Sequence, residues 1–391
     1  MKKEVRLLGV EWFSLLGPTI STITFYEATT STTDLHHATK AYLKDRLQAI
    51  VEANPWLGGR LTCGWLGSNL TLHFDPDAPS AIRVEEVELP ELSSEINYDR
   101  LVSMCAPLEV QSGLSVLNTD LPLLRVHWIT VSDTQGALFF SLSHGLGDGY
   151  TYYRLYGMLS AGKPVEALTF DRLGDYEARA EAAIKGGNDA MAMLKTPSFA
   201  CNMVGNVLFG KTPVTVMQTF NASWIEQEKA KYKTMSSTGY VSTNDVITSW
   251  VFRTSQCKVG FMAINFRGRI QDVDNHLAGN YETTLGYQPE DYATPALIRE
   301  SLAVNGLRRV RSGAFPWMFT GATTVVSTWV TLYEPANLAG WAMVEHVPIV
   351  GVKPPFTTGA IIFQRTATSI GIIYGSRAPV DLDKEETLVP L

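Results

Sequence analysis

Long apolar runs are missing from this 391-residue chain. No stretch reaches the ~18 consecutive apolar residues of a membrane-spanning helix, so no span is expected. Runs of lysine and arginine are missing too. With 32 basic against 39 acidic residues and a formal charge of −7, the chain carries no basic footprint for nucleic acid. Cysteine is scarce: Cys63, Cys105, Cys201 and Cys257 have neither CxxC nor metal-ligand spacing. Free thiols in a reducing compartment, and so a cytoplasmic location, are the expectation. His36-His37 are adjacent and lack matching ligands, so no metal site is expected. Lys2, Lys3 and Arg6 before Leu7–Leu16 imitate a signal peptide, but Glu11 interrupts the apolar part and no small-x-small cleavage site follows. A G-x-S-x-G elbow is absent, and with it the sign of a covalent acyl-enzyme.

What is present is an ordinary globular composition, 45% apolar and 18% charged, long enough for two domains. The chain is organised around Ser143-His144-Gly145-Leu146-Gly147-Asp148-Gly149. Ala137–Ser143 before it is short, apolar and aromatic, which predicts a buried strand. Three glycines then make a tight turn, expected to leave room for a substrate. Tyr150–Ser160 follows as a helix, with Leu155, Met158 and Leu159 at helical spacing. A neutral imidazole at such a strand end can take a proton from a hydroxyl or amine, because its ordinary pKa lies near working pH. For Asp148 two readings stand open. It locks the loop through an arginine elsewhere, or it caps the following helix.

The rest reads as alternating strands and helices. Thr19–Tyr26 is a strand, and Leu43, Leu47, Ile50 and Val51 form one stripe of a helix that Asn54-Pro55 ends. Pro122–Val131 is a strand, joined by a turn at Ser132–Gly136 to the strand before His144. Domains are expected at 1–185 and 216–391, with 186–215 as crossover linker. Within that linker Gly205–Thr212 matches the phosphate-loop pattern G-x-x-x-x-G-K-[ST]. No strand is read before it, and Pro213 with Val214-Thr215-Val216 reads as extended rather than helical after it. Ser242–Arg253 is a capped amphipathic helix. Val259–Phe266 is a strand ending in Arg267-Gly268-Arg269, and Thr323–Val330 is another.

His144-x-x-x-Asp148-Gly149 after an apolar strand resembles the signature of the CoA-dependent acyltransferase superfamily. That group holds the BAHD acyltransferases, chloramphenicol acetyltransferase, carnitine acyltransferases and the condensation domains of peptide synthetases. Four more segments are similar to BAHD segments and keep their order: Pro55–Leu61, Ser242–Arg253, Arg267–Arg269 with Leu277–Tyr281, and Ser327 with Trp329. The chain departs at two places. Ser143 stands for the first histidine of the common His-His pair, and of Asp-Phe-Gly-Trp-Gly only Gly340 and Trp341 correspond.

The resemblance implies an α/β fold of two similar chloramphenicol-acetyltransferase-like domains with mixed sheets and a tunnel between them. It implies acyl-CoA as co-substrate with no permanently bound cofactor, a small-molecule alcohol or amine as acceptor, and a monomer of secondary metabolism. His144 would be the general base, without an acyl-enzyme. Asp148 would lock the loop, with Arg267 the first choice of partner and Arg269 the second. Ser327 and Trp329 would steady the oxyanion, and Gly149, Arg267, Arg269 and Trp341 would bind substrate or CoA. The alternatives are a condensation-type enzyme fed by a carrier protein, a phosphate-loop nucleotide enzyme, and a non-catalytic binding relative.

Overall fold

The computed structural model describes residues 2–30, 34–65, 69–111, 113–303, 307–309, 313–351, 355–379, 382 and 386–389. In chain order its strands are β1 (Lys3–Arg6), β2 (Ile20–Ala28), β3 (Arg60–Thr62), β4 (Thr71–Phe74), β5 (Val84–Glu88), β6 (Leu124–Thr130) and β7 (Gln135–Leu142). Then come β8 (Val214–Phe220), β9 (Val259–Asn265), β10 (Glu282–Tyr287), β11 (Thr323–Thr328), β12 (Trp341–Ile349), β13 (Thr358–Gln364), β14 (Ile370–Ser376) and β15 (Leu388–Val389). The chain forms two compact units. Unit 1 is Met1–Glu177, Gln271–Tyr281 and Leu332–Val352; unit 2 is Ala178–Ile270, Glu282–Thr331 and Lys353–Leu391.

Unit 1 holds a five-stranded sheet in the order β12-β2-β7-β6-β5 and a three-stranded one, β1-β4-β3. In the larger sheet β5 and β6 run parallel and the other pairs antiparallel. β7 is buried at every residue after Gln135. Covered on both faces, it reads in sequence as a continuous apolar run rather than an alternation. The helix Leu35–Ala53 buries the expected stripe of Leu43, Leu47, Ile50 and Val51. It ends where Asn54 folds its side chain back to the Ile50 carbonyl and accepts the Leu168 N–H.

The expected division of the chain is corrected here. Instead of a linker at 186–215 the structure has helices over Asp189–Leu194 and Pro197–Leu208. The second half also sends two segments back to unit 1. One supplies β12, whose register runs along β2 from Trp341↔Ala28 to Ile349↔Ser21. Without it β2 would be an open, apolar edge. Short-range periodicity carries no information on which strand fills such an edge.

Unit 2 is built on a seven-stranded mixed sheet, β10-β9-β11-β13-β14-β8-β15, with β9, β11 and β13 parallel. The phosphate-loop pattern falls at the wrong end of a helix: Gly205 lies inside Pro197–Leu208, and Lys211 follows its C-terminus. A phosphate cradle needs a helix N-terminus there, so this alternative fails on geometry.

Unit 1 also buries a polar network with no counterpart in the sequence reading. His346 of β12 places Nδ1 2.7 Å from Thr24 Oγ1 and Nε2 3.0 Å from the Tyr153 hydroxyl. The Tyr156 hydroxyl lies 2.5 Å from the same Thr24 Oγ1. Burial pushes the His346 pKa down to about 3. Above pH ~6.5 the ring is neutral in folded and unfolded chains alike. Below that the unfolded chain takes the proton first, so stability falls as pH drops toward the folded pKa, by on the order of 5 kcal/mol at full protonation. His127, which burial lowers to about 4, acts in the same direction. Replacing His346 with Gln is expected to flatten the fall of melting temperature between pH ~6.5 and ~4. An unchanged slope would place the acid sensitivity elsewhere.

Candidate active site

β7 ends at Leu142 and hands the chain to the His144 loop. The Ser143 N–H donates to the Leu123 carbonyl at 2.8 Å, and the Leu146 N–H closes a turn onto the Ser143 carbonyl at 2.9 Å. The glycines do not leave substrate room, as expected from sequence; they let side chains close in. A Cβ on Gly145 would sit 3.1 Å from both Leu15 Cδ1 and Leu61 Cδ1, and one on Gly147 would meet Thr151 Cβ at 2.6 Å.

His144 is half-buried, and its Nδ1 has no hydrogen-bond partner among the described residues. Burial lowers its pKa from the ordinary value, opposed by its own carbonyl, the nearby Asp148 carboxylate and the Asn280 side chain. The ring is therefore neutral near pH 7 and free to accept a proton.

Of the two readings of Asp148, the helix cap is the one its hydrogen bonds show. Asp148 caps the helix Gly149–Gly157, its Oδ1 accepting the Thr151 N–H at 3.0 Å. Its Oδ2 accepts the Tyr281 N–H at 3.1 Å. The carboxylate, 1% exposed, thus ties the motif helix to residues 279–281. Thr151 Oγ1 adds bonds to the Gly279 carbonyl and N–H at 3.1 and 3.0 Å. Gly149, expected to bind substrate, is the buried first residue of that helix.

Three further residues hold the loop. Asn280 Nδ2 donates to the His144 carbonyl at 2.9 Å, and the Asn280 N–H donates to Glu11 Oε1 at 3.2 Å. Glu11 is fully buried and paired with Arg172 at 2.8 Å. Arg172 lies over the Phe170 ring at 3.8 Å. One signal for this was in the sequence. A lone carboxylate inside an apolar run must find a cation, since an unpaired buried charge is too costly.

In unit 2, Ser327 is half-buried on β11, and the Trp329 indole N–H donates to its Oγ at 3.0 Å. That bond occupies an acceptor site of the hydroxyl and leaves its proton to be donated elsewhere. Arg267, the first choice as partner of Asp148, is buried, and its Nη1 donates to Asn265 Oδ1 at 3.2 Å; Arg269, the second choice, is exposed. The helix Thr243–Thr254 begins with a capping box at Ser242 and Asp245, and Asp245 is gripped by Arg299 at 2.7 and 2.8 Å.

No protein-family model matches the sequence, and no curated protein matches it either. Solved structures do. TRI101 of F. graminearum complexed with ethyl coenzyme A is 13% identical, over 96% of this chain and 95% of that one, with a TM-score of 0.68. Vinorine synthase is 13% identical over 96% and 89%, with a TM-score of 0.63. The first condensation domain of the CDA synthetase is 14% identical over 96% and 90%, at 0.57. The chain shares its fold with these three structures.

Within this fold one expected site residue lies far along the sheet from His144. Trp341 was read as a binding residue, yet it pairs with Ala28 at one end of β2, while Leu142, just before His144, pairs with Ile20 at the other. From 20 to 28 is eight residue steps, or roughly 26 Å along a strand. Trp341 instead packs edge-on against His36 and Trp128, with ring centroids at 5.0 and 5.2 Å, and its N–H donates to Thr39 at 2.8 Å. It is a buried core residue of unit 1. Cys63, Cys105, Cys201 and Cys257 are all free thiols. Among the described residues no cluster suits a metal ion, and no helix is long and apolar enough to cross a membrane.

Proposed function

We propose that this chain moves an acyl group from acyl-CoA to the hydroxyl or amine of a small molecule. The observation that carries the reading is the His144 ring, desolvated, uncharged near neutrality and anchored through its carbonyl by Asn280, on a fold matching a coenzyme A complex. His144 takes the acceptor's proton as the acceptor oxygen or nitrogen attacks the thioester carbonyl. The thioester C–S bond then breaks, and His144 passes the proton to the departing thiolate. The acyl group is never held by the protein, so both substrates are bound together. Ser327, oriented by Trp329, donates a hydrogen bond from its hydroxyl to the developing oxyanion. Arg267, Arg269 and Gly149 remain the candidates for holding the CoA side and the motif loop.

The test is release of free thiol from a panel of acyl-CoAs offered with alcohols and amines. Activity is expected only when both substrates are present. Thiol release that needs a carrier-protein-bound acyl group instead would favour the condensation-type enzyme, a reading that the similarity to a condensation domain keeps in view. Ser327→Ala is expected to lower kcat by roughly 10²-fold with little change in KM, as for loss of one oxyanion donor. An unchanged kcat would remove Ser327 from the mechanism.

A further inference from the structure

The helix Pro197–Leu208 in unit 2 is dry on one side and bare on the other. Phe199 packs against Phe261 and Phe356 with centroids at 5.6 and 6.1 Å, and Asn202 donates to the Gly321 carbonyl at 3.2 Å. Its outer side shows Val204, Val207 and Leu208, all more than half exposed, followed by Phe209 at 86%. Beside it, Trp317 and Phe319 stack in parallel at 5.8 Å, exposed by 74% and 55%. Met318, between them, belongs to the same core cluster as Phe199, which places the two aromatics next to the helix.

Charge is distributed just as unevenly. From Thr196 to Gly210 there is not one Asp, Glu, Lys or Arg, whereas 18% of the whole chain is charged. Exposed lysines bracket the stretch at 195 and 211. Lys258 reaches the Trp317 carbonyl at 3.0 Å, and Arg377 reaches the Lys211 carbonyl at 2.9 Å. An apolar, aromatic face thus has a cationic rim in a protein of net charge −7.

We propose that this face docks onto an anionic lipid surface. The helix has 12 residues, well short of the ~20 needed to span, so it lies in the plane of the interface. Val204, Val207, Leu208, Phe209 and Trp317 enter the acyl boundary, and Lys195, Lys211, Lys258 and Arg377 meet headgroup phosphates.

The experiment is co-sedimentation of the full chain with vesicles of phosphatidylcholine alone or mixed with phosphatidylserine. Binding is expected on the mixed vesicles, weakening as salt is raised. The double variant V207E/F209E is expected to lower the bound fraction about tenfold or more at an unchanged melting temperature, because both side chains are already in water. The double variant K195E/K211E is expected to lose the preference for phosphatidylserine. Absence of binding by the unaltered protein, or equal binding by V207E/F209E, would overturn the proposal. So would a protein that is dimeric by gel filtration, made monomeric by Phe209→Glu and indifferent to vesicles, which assigns the face to a second copy.

Discussion

His144→Ala is expected to abolish acyl transfer while leaving the melting curve in place. A positioned general base is worth about 10²- to 10⁴-fold, so the loss should be read in kcat/KM at saturating acyl-CoA. Stability should hardly move. The ring's Nδ1 makes no hydrogen bond among the described residues, and Asn280 holds the loop through the backbone carbonyl, which alanine keeps. The pH profile gives an independent check. Burial lowers the ring's pKa, so the neutral base persists below the ~6.5 of an ordinary histidine. The acid limb of the unaltered protein should therefore fall at a pH lower than that, and His144→Ala should lack it. A variant with full activity, or an acid limb set above pH ~7, would remove the histidine from the chemistry.

The parts legible in the sequence were those with local causes. β7 could be read because a strand covered on both faces is apolar throughout, and its end could be placed because three glycines follow within five positions. The stripe of Leu43, Leu47, Ile50 and Val51 and the Ser242 cap were equally local. The failures of topology lie at long sequence separation. That β12 belongs beside β2, more than 300 residues earlier, is a matter of which edge needs covering. The position of Trp341 was hidden for the same reason, since only the register with β2 shows which end of the sheet it occupies. Glu11 was noticed only as a flaw in a signal peptide. Its meaning came with Arg172 and Asn280, which lie 161 and 269 residues away. The helix Pro197–Leu208 falls inside the expected linker, though proline at the first turn is compatible with a helix start.

Asp148→Ala is expected to cost stability and activity together, which separates it from the histidine. Alanine removes the cap on Thr151, worth about 1–2 kcal/mol. It also strands the buried Tyr281 N–H, whose lost hydrogen bond costs about 1–3 kcal/mol. Together these predict a loss of roughly 2–5 kcal/mol, visible as a clear drop in melting temperature or denaturant midpoint. Activity falls because the same two bonds tie the motif helix to residues 279–281, and Asn280 of that segment positions the His144 carbonyl. Asp148→Asn supplies the control. Its amide oxygen can keep the Thr151 cap, but its NH₂ is left facing the Tyr281 N–H, donor against donor. It should therefore fall between alanine and the unaltered protein in stability. If Asp148→Ala melts normally and transfers acyl groups at full rate, the carboxylate is neither the cap nor the clamp that its hydrogen bonds describe.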